Sequence, residues 1–336
     1  MTKLITMTFV LLLLAGVAMA QPTPQLYKQV GKFEIGGEGG WDYITYDASS
    51  NRLFVGHNSE ILIIDAASGK KTGSVPANGA HGVAIVNDKN LGFSTNGRAG
   101  TVTVFDLKTL QPKQDIKAGE NPDAIIYDHY SKKVIVMNGR SKDLMAIDPD
   151  SLKVVATVPL GGKLEFAASD SSHIYVNVED TGEIASVSTK NWKQDQRWKL
   201  EGCEEPSGLA INEKLHHLFS VCGNKKMIIV NATNGQVIST VNTGAGTDAA
   251  AFDSGLGYAL ASNGEGTLTV VKANKNGAYE LAGNVPTQRG ARTMAVDQNS
   301  HKVFLPTAEF GPPAEGQNRP SIKPGTFTIL VYSPAK

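Results

Sequence analysis

Cysteine is nearly absent from this chain: two in 336 residues, Cys203 and Cys222. A disulfide scaffold is excluded, and so are Cys-x-x-Cys metal or redox pairs and Cys-x-x-Cys-His haem attachment. An excess of either charge is absent too, with Lys and Arg totalling 32 against 32 for Asp and Glu. Nucleic-acid binders draw much of their affinity from neutralising phosphates with surplus basic residues, so nucleic acid is not an expected partner. Long hydrophobic runs occur only at the N-terminus, and beyond residue 20 no stretch keeps a helical period. Gly-x-Ser-x-Gly, His-Glu-x-x-His and phosphate-loop patterns are all missing.

The N-terminal run is a targeting segment rather than part of the fold. Lys3 precedes an apolar stretch from Leu4 to Val17, and Ala18-Met19-Ala20 offers a small-residue cleavage site. The stretch is short for a membrane helix. Val17 stands where a lipoprotein would carry cysteine after "LLAG". The expectation is a signal peptide over 1–20 and one exported domain over 21–336, periplasmic or secreted, monomeric and without a membrane span. At that size a single core can bury roughly three quarters of the unfolded surface.

What the chain does have is a repeat. Short apolar runs close on Asp47, Asn87, Asp128, Asp170, Asn212, Asp253 and Asp297, at spacings of 40, 41, 42, 42, 41 and 44. A later run ends at Asp65, Asp106, Asp148, Ser188, Asn231, Lys272 and Tyr332; its last spacing, 60, marks an insertion around "GPPAEGQNRPSIKPG". The first unit holds four strand-like runs, Tyr43–Tyr46, Leu53–Val55, Ile61–Ile64 and Lys71–Val75, with Asp, Asn, Gly and Ser between them. Four strands repeated seven times give an all-β, seven-bladed propeller. The last unit stops after its third strand, "TFTILVYSP", while "LYKQVGKFEIGG" near the mature start reads as a fourth. The N-terminal strand is therefore expected to close the last blade.

The repeat "KVIVMNGRSKDLMAIDPDSLKVVATVPLG", with "GFSTNGRAGTVTVFD" and "ALASNGEGTLTVV", resembles the YVTN family of bacterial seven-bladed propellers. The resemblance covers nearly all of 27–332, and the unit in "HIYVNVEDTGEIASVS" departs from it by ending in Ser188. It implies the fold and leaves the function open, since such propellers serve as binders, scaffolds and enzymes.

In a propeller, the start of each first strand and the loop after each second strand lie on one face. There the polar residues differ from blade to blade, which suits an asymmetric ligand better than a structural repeat. The candidate ligand-binding residues are Trp41, Asp42, His81, Arg98, Asp123, Arg140, Glu165, Glu179, Glu205, Asp248, Arg289, Arg292 and Glu309. Four of the seven arginines fall in this set, and guanidinium forks hold carboxylate or phosphate. Arg98, Arg140, Arg289 and Arg292 are expected to form a cationic arc facing Glu165, Glu204, Glu205 and Asp248. Asn96, Asn138, Asn177 and Asn263 read as turn residues. The leading function is binding of a small anionic ligand or a partner's segment at one channel mouth. The alternatives are a lactonase-like hydrolase or lyase, with His81, Glu165 and Glu205 as catalytic candidates, and a protein-interaction scaffold. The acids with His81 could also hold Ca²⁺ or Mg²⁺. Cys203 and Cys222, placed near each other across a hairpin, are expected to form a disulfide.

Overall fold

The computed structural model describes residues 26–335 apart from 314, 315 and 317–319. The expected signal peptide lies outside the described residues. Seven four-stranded antiparallel sheets succeed one another, spanning 41–76, 80–117, 122–159, 164–199, 206–242 and 247–286, with the seventh joining 295–334 to Tyr27–Glu34. In the first six blades the strands pair in chain order. Each first strand touches the first strands of the blades on either side, and the contacts close from the seventh blade back to the first. This is the seven-bladed propeller that the repeat implies.

The sequence pattern explains the burial. Third strands such as "EILIID" are apolar without alternation because blades cover both of their faces. Fourth strands such as "PKQDIK" lie outermost and keep a single buried residue. Seven hydrophobic clusters fill the gaps between neighbouring blades. Between the first and seventh, Leu53, Val55, Leu62 and Ile64 meet Phe304, Ile329 and Val331. Each such side chain contributes about 1.5–3 kcal/mol on full burial.

The repeated aspartates are turn anchors. Asp47 accepts hydrogen bonds from the Ser49 amide and hydroxyl, at 3.1 and 2.8 Å, and Asn87 of the next blade donates to it at 2.9 Å. Asp128 and Asp170 hold their turns in the same way. The asparagines expected as turn residues are instead buried at the ends of their strands, Asn96, Asn138 and Asn263 in the last position and Asn177 one before it. Asn96 donates to Thr101 and Thr103, and Asn263 to Thr267 and Thr269, so each amide ties its own second and third strands together.

Closure is made by the N-terminal strand, whose Tyr27 pairs with Pro334 and Glu34 with Thr328. Tyr27 is fully buried between the sixth and seventh blades. The seventh blade departs from expectation at its first strand, which is reduced to Ala295–Val296. Residues 292 and 293 bond sideways instead: the Arg292 carbonyl accepts from the Ala249 amide and the Ser262 hydroxyl, and Thr293 donates to the Asp42 carbonyl. The insertion contains a hairpin, Phe310–Pro313 with Pro320–Ile322. Cys203, just before the fifth blade's first strand, is bonded to Cys222 at the end of its second.

Two stability predictions arise. Removing the chain up to Gly37 bares the Thr328–Pro334 edge and should lower the melting temperature by more than about 5 °C; an unchanged melting curve would contradict closure. For the disulfide, denatured but unreduced protein should show no free thiol by titration. Its reduction should cost about 3 kcal/mol, the loop-closure value for this sequence separation.

Candidate functional site: one mouth of the channel

The first strands of the first six blades share a defect. Each loses ladder register just after its first residue, between Trp41 and Ile44, Ala80 and Val83, Pro122 and Ile125, Leu164 and Ala167, Pro206 and Leu209, and Thr247 and Ala249. Such bulges re-aim side chains. The second residues form a ring of half-buried polar groups: Asp42, His81, Asp123, Glu165, Ser207 and Asp248, with Arg292 from the seventh blade. The third residues are mostly small, except Tyr43 and Phe166. These two rings come from the first and fourth blades and meet across the channel, 5.4 Å between centroids, so the ring of polar groups has an aromatic floor.

Charges in the ring are largely paired with one another. His81 Nδ1 lies 2.5 Å from Asp42 Oδ2 and 3.5 Å from Asp123 Oδ1. Arg292 pairs with Asp248 through Nη1 and approaches Asp42 Oδ1 at 3.7 Å through Nη2. Lys163 bridges Glu165, at 2.8 Å, and Glu179. Lys163 was not among the expected site residues, and neither were Tyr43, Phe166 and Ser207. Lys163 carries no motif signal; it stands just before the strand Leu164–Ser169, and its reach to Glu165 and Glu179 shows only once the blade is built.

The expected residues separate into those the fold gathers and those it does not. Asp42, His81, Asp123, Glu165, Asp248 and Arg292 stand in the ring, with Glu179 beside Glu165. Trp41, Arg98, Arg140 and Asn121 line the same mouth cavity as Asp42, His81 and Arg292. Glu205 falls outside: the fifth blade's strand starts at Pro206, Glu205 sits in the preceding turn with φ of 50°, and Ser207 takes the ring position. Glu204 is likewise held in that turn, its carbonyl accepting from the Gly223 amide. Arg289 stacks over Phe310 of the insertion, and Glu309 pairs with Lys323 on the surface. The expected arc of four available arginines is therefore corrected to two. Arg292 is consumed because both of its ring neighbours are aspartates. Arg98 and Arg140 are exposed and have no ion-pair partner among the described residues.

Crowding of acids sets the protonation of the ring. Burial, reinforced by the Asp42 and Asp248 charges against the pull of His81, pushes Asp123 up to about 6. Burial, a hydrogen bond shared with Glu179 and the Asp123 charge push Glu165 up to about 9, despite Lys163. Burial also raises Asp248, Arg292 notwithstanding. For His81, burial works downward, but the Asp42 hydrogen bond and the Asp123 charge outweigh it and the imidazole sits above its usual range. A ring with a proton on Glu165 at neutral pH can donate as well as accept hydrogen bonds.

The fold and this mouth together define the class: a seven-bladed β-propeller with an asymmetric polar ring at one end of its channel. No family model matches the chain, and no curated protein matches it. Among solved structures it is similar to "Structure of U3-55K", with a TM-score of 0.73 and 10% identity over 91% of this chain and 98% of that one. It is similar also to "Crystal structure of RRP9 WD40 repeats", with a TM-score of 0.74 and 10% identity over 92% and 98%. At this identity the likeness is one of fold. Among the described residues no helix is long and apolar enough to cross a membrane.

The raised carboxyls fix a pH dependence. Where a folded-state pKa exceeds the unfolded one, the native state holds a proton that the unfolded chain has lost, and stability falls as pH rises across that window. For Asp123 the window runs from 3.8 to about 6, and for Glu165 from 4.5 to about 9. His81, also raised, stabilises fully below 6.5 and loses its contribution as pH climbs through its folded value. The Asp turn anchors act oppositely. Burial would raise Asp47 and Asp170, but hydrogen bonds from Ser50 and Asn87 to one, and from Ser172 and Tyr175 to the other, bring both below the carboxylate range. Their stabilisation is lost only as pH falls through those low values. The melting temperature should therefore peak in mildly acidic buffer and decline toward pH 9. Glu165→Gln should flatten the decline, as differential scanning calorimetry from pH 4 to 9 would read.

Proposed function

We propose that the protein is an exported binding propeller of the YVTN type, whose channel mouth takes up a carboxylate-bearing small molecule or the acidic segment of a partner protein. The observation that carries this is the pair Arg98 and Arg140. They line the mouth cavity without ion-pair partners among the described residues, above a ring whose own charges are already balanced against each other. An exposed guanidinium with no partner can receive an incoming carboxylate bidentately without first breaking an ion pair. The unlike residues of the ring would then fix the orientation of the remainder of the ligand. The disulfide supports export, because such bonds persist in oxidising compartments.

A second reading, hydrolase or lyase chemistry, is favoured by Glu165. A carboxyl that keeps its proton at neutral pH is a general acid, and Asp123 of the neighbouring blade supplies an ionised counterpart.

The test is a thermal-shift and calorimetric screen of mono- and dicarboxylates and of short acidic peptides against the mature chain. Binding should weaken about tenfold or more in the Arg98→Ala, Arg140→Ala double variant, the loss of at least one charged hydrogen bond. The melting temperature should barely change, since both residues are exposed. Undiminished binding in the double variant would refute the assignment of the anion to these arginines. Turnover of any bound ester or lactone, abolished by Glu165→Gln, would favour the second reading.

A further inference from the structure

We propose that Asp42, His81 and Asp123 form a divalent transition-metal site of the zinc class, built into the mouth by three consecutive blades. Among the described residues these are the one set of three His, Cys, Asp or Glu side chains whose donor atoms all lie within 4.8 Å of one another. The site shares its mouth with the function proposed above, but its evidence is separate.

The separations suit one small ion. A tetrahedral cation with bonds of about 2.0–2.2 Å holds its ligand atoms about 3.3–3.6 Å apart. His81 Nδ1 stands 3.5 Å from Asp123 Oδ1 and 2.5 Å from Asp42 Oδ2. Asp123 is thus already at the spacing an ion needs, and Asp42 has to withdraw by about 1 Å.

The surroundings orient each donor, which a chance cluster of acids does not show. On Asp42, Oδ2 faces His81 while Oδ1 faces Arg292. On Asp123, Oδ1 faces His81 while Oδ2 accepts from the Asn121 amide at 3.4 Å. Each carboxylate thus has one oxygen directed to the common point and the other held by a partner of its own, the arrangement of ligands around metals. Behind the imidazole the chain leaves room for it. A Cβ on Gly97 would stand 2.4 Å from His81 Nε2, so a glycine is required there to let the ring lie with Nδ1 toward the carboxylates.

The backbones are pinned as well. The buried Thr95 hydroxyl accepts from the Gly82 amide, next to His81, at 2.9 Å and donates to the Asp123 carbonyl at 2.5 Å. Thr293 donates to the Asp42 carbonyl at 2.9 Å. One imidazole with two carboxylates selects a borderline ion over Ca²⁺, which takes six to eight oxygens. With three protein ligands in an open mouth, a fourth position is left for water or for a ligand's carboxylate, the pattern of reactive rather than structural sites. The metal class therefore differs from the Ca²⁺ or Mg²⁺ that the acid content of the sequence suggests.

The experiment is isothermal titration of the chelator-treated mature chain with zinc chloride alone, and with calcium chloride in parallel. One zinc per chain is expected, with calcium at least 100-fold weaker. Asp123→Asn and His81→Gln should each weaken zinc at least tenfold. Asn121→Ala, which removes the amide donating to the Asp123 oxygen turned away from His81, should weaken it by about 10-fold. Cobalt(II) added to the same chain should give visible absorption of tetrahedral intensity, lost in His81→Gln. Circular dichroism identifies any variant that fails to fold, and in that case the cobalt spectrum of the wild-type chain and the Asn121→Ala titration decide. Zinc uptake that is absent, or unaltered by both His81→Gln and Asn121→Ala, would overturn the site. Because the probe is the metal alone, the Arg98→Ala, Arg140→Ala double variant should bind zinc normally. Loss of carboxylate binding in that variant with zinc retained, or the converse in His81→Gln, separates the two assignments.

Discussion

Everything in this molecule depends on blades burying one another's faces. A single four-stranded sheet of forty-odd residues has two apolar faces and no core of its own, so it gains stability only by stacking on neighbours. Face-to-face stacking leaves two exposed ends unless the row curves into a ring. The seven inter-blade clusters are the product of that closure, and the fully buried third strands are its signature in the sequence. The fourth strand of the seventh blade is Tyr27–Glu34, so the ring is fastened by backbone hydrogen bonds between segments some 300 residues apart as well as by packing.

The mouth inherits its chemistry from this ring. Repetition brings seven equivalent positions to one level of the channel, and in six of the blades a bulge at the head of the first strand aims them. Identical residues there would give a symmetric collar. The chain instead supplies four carboxylates, one imidazole, one guanidinium and one hydroxyl. With the Tyr43–Phe166 pair beneath and mostly small residues between, the carboxylates stand close together in partly dehydrated surroundings. Burial raises Asp123 and Glu165 above the range of free carboxyls, and repulsion between the acids adds to it. That repulsion also explains why Arg292 and Lys163 are committed. Each sits between two acids, where its charge relieves the most repulsion.

The limits of reading a site from sequence are visible in particular residues. Asp42, His81 and Asp123 could be placed on one face because period-two strands and a forty-residue repeat fix where equivalent positions lie. Glu205 was misplaced by two residues, since nothing local distinguishes a strand that begins at Pro206 from one that begins just before it. In a first strand, that shift exchanges a ring position for a turn. Arg292 was placed correctly and still misjudged. Its availability depends on Asp42 and Asp248, which lie far away in the chain and beside it in space.

By itself the sequence determined the period, the strand content, the seven blades and the closing strand, because each is written in local alternation and turn chemistry repeated at fixed spacing. Asp at the end of a strand anchors its turn wherever the strand sits. Pairing was decided only by the tertiary structure. Which arginines are spent and which remain, which carboxylates share an imidazole, and that Tyr43 meets Phe166 across the channel all depend on how the blades turn about one axis. Coulomb energies and desolvation depend on distances through space, and local sequence pattern carries no record of those distances.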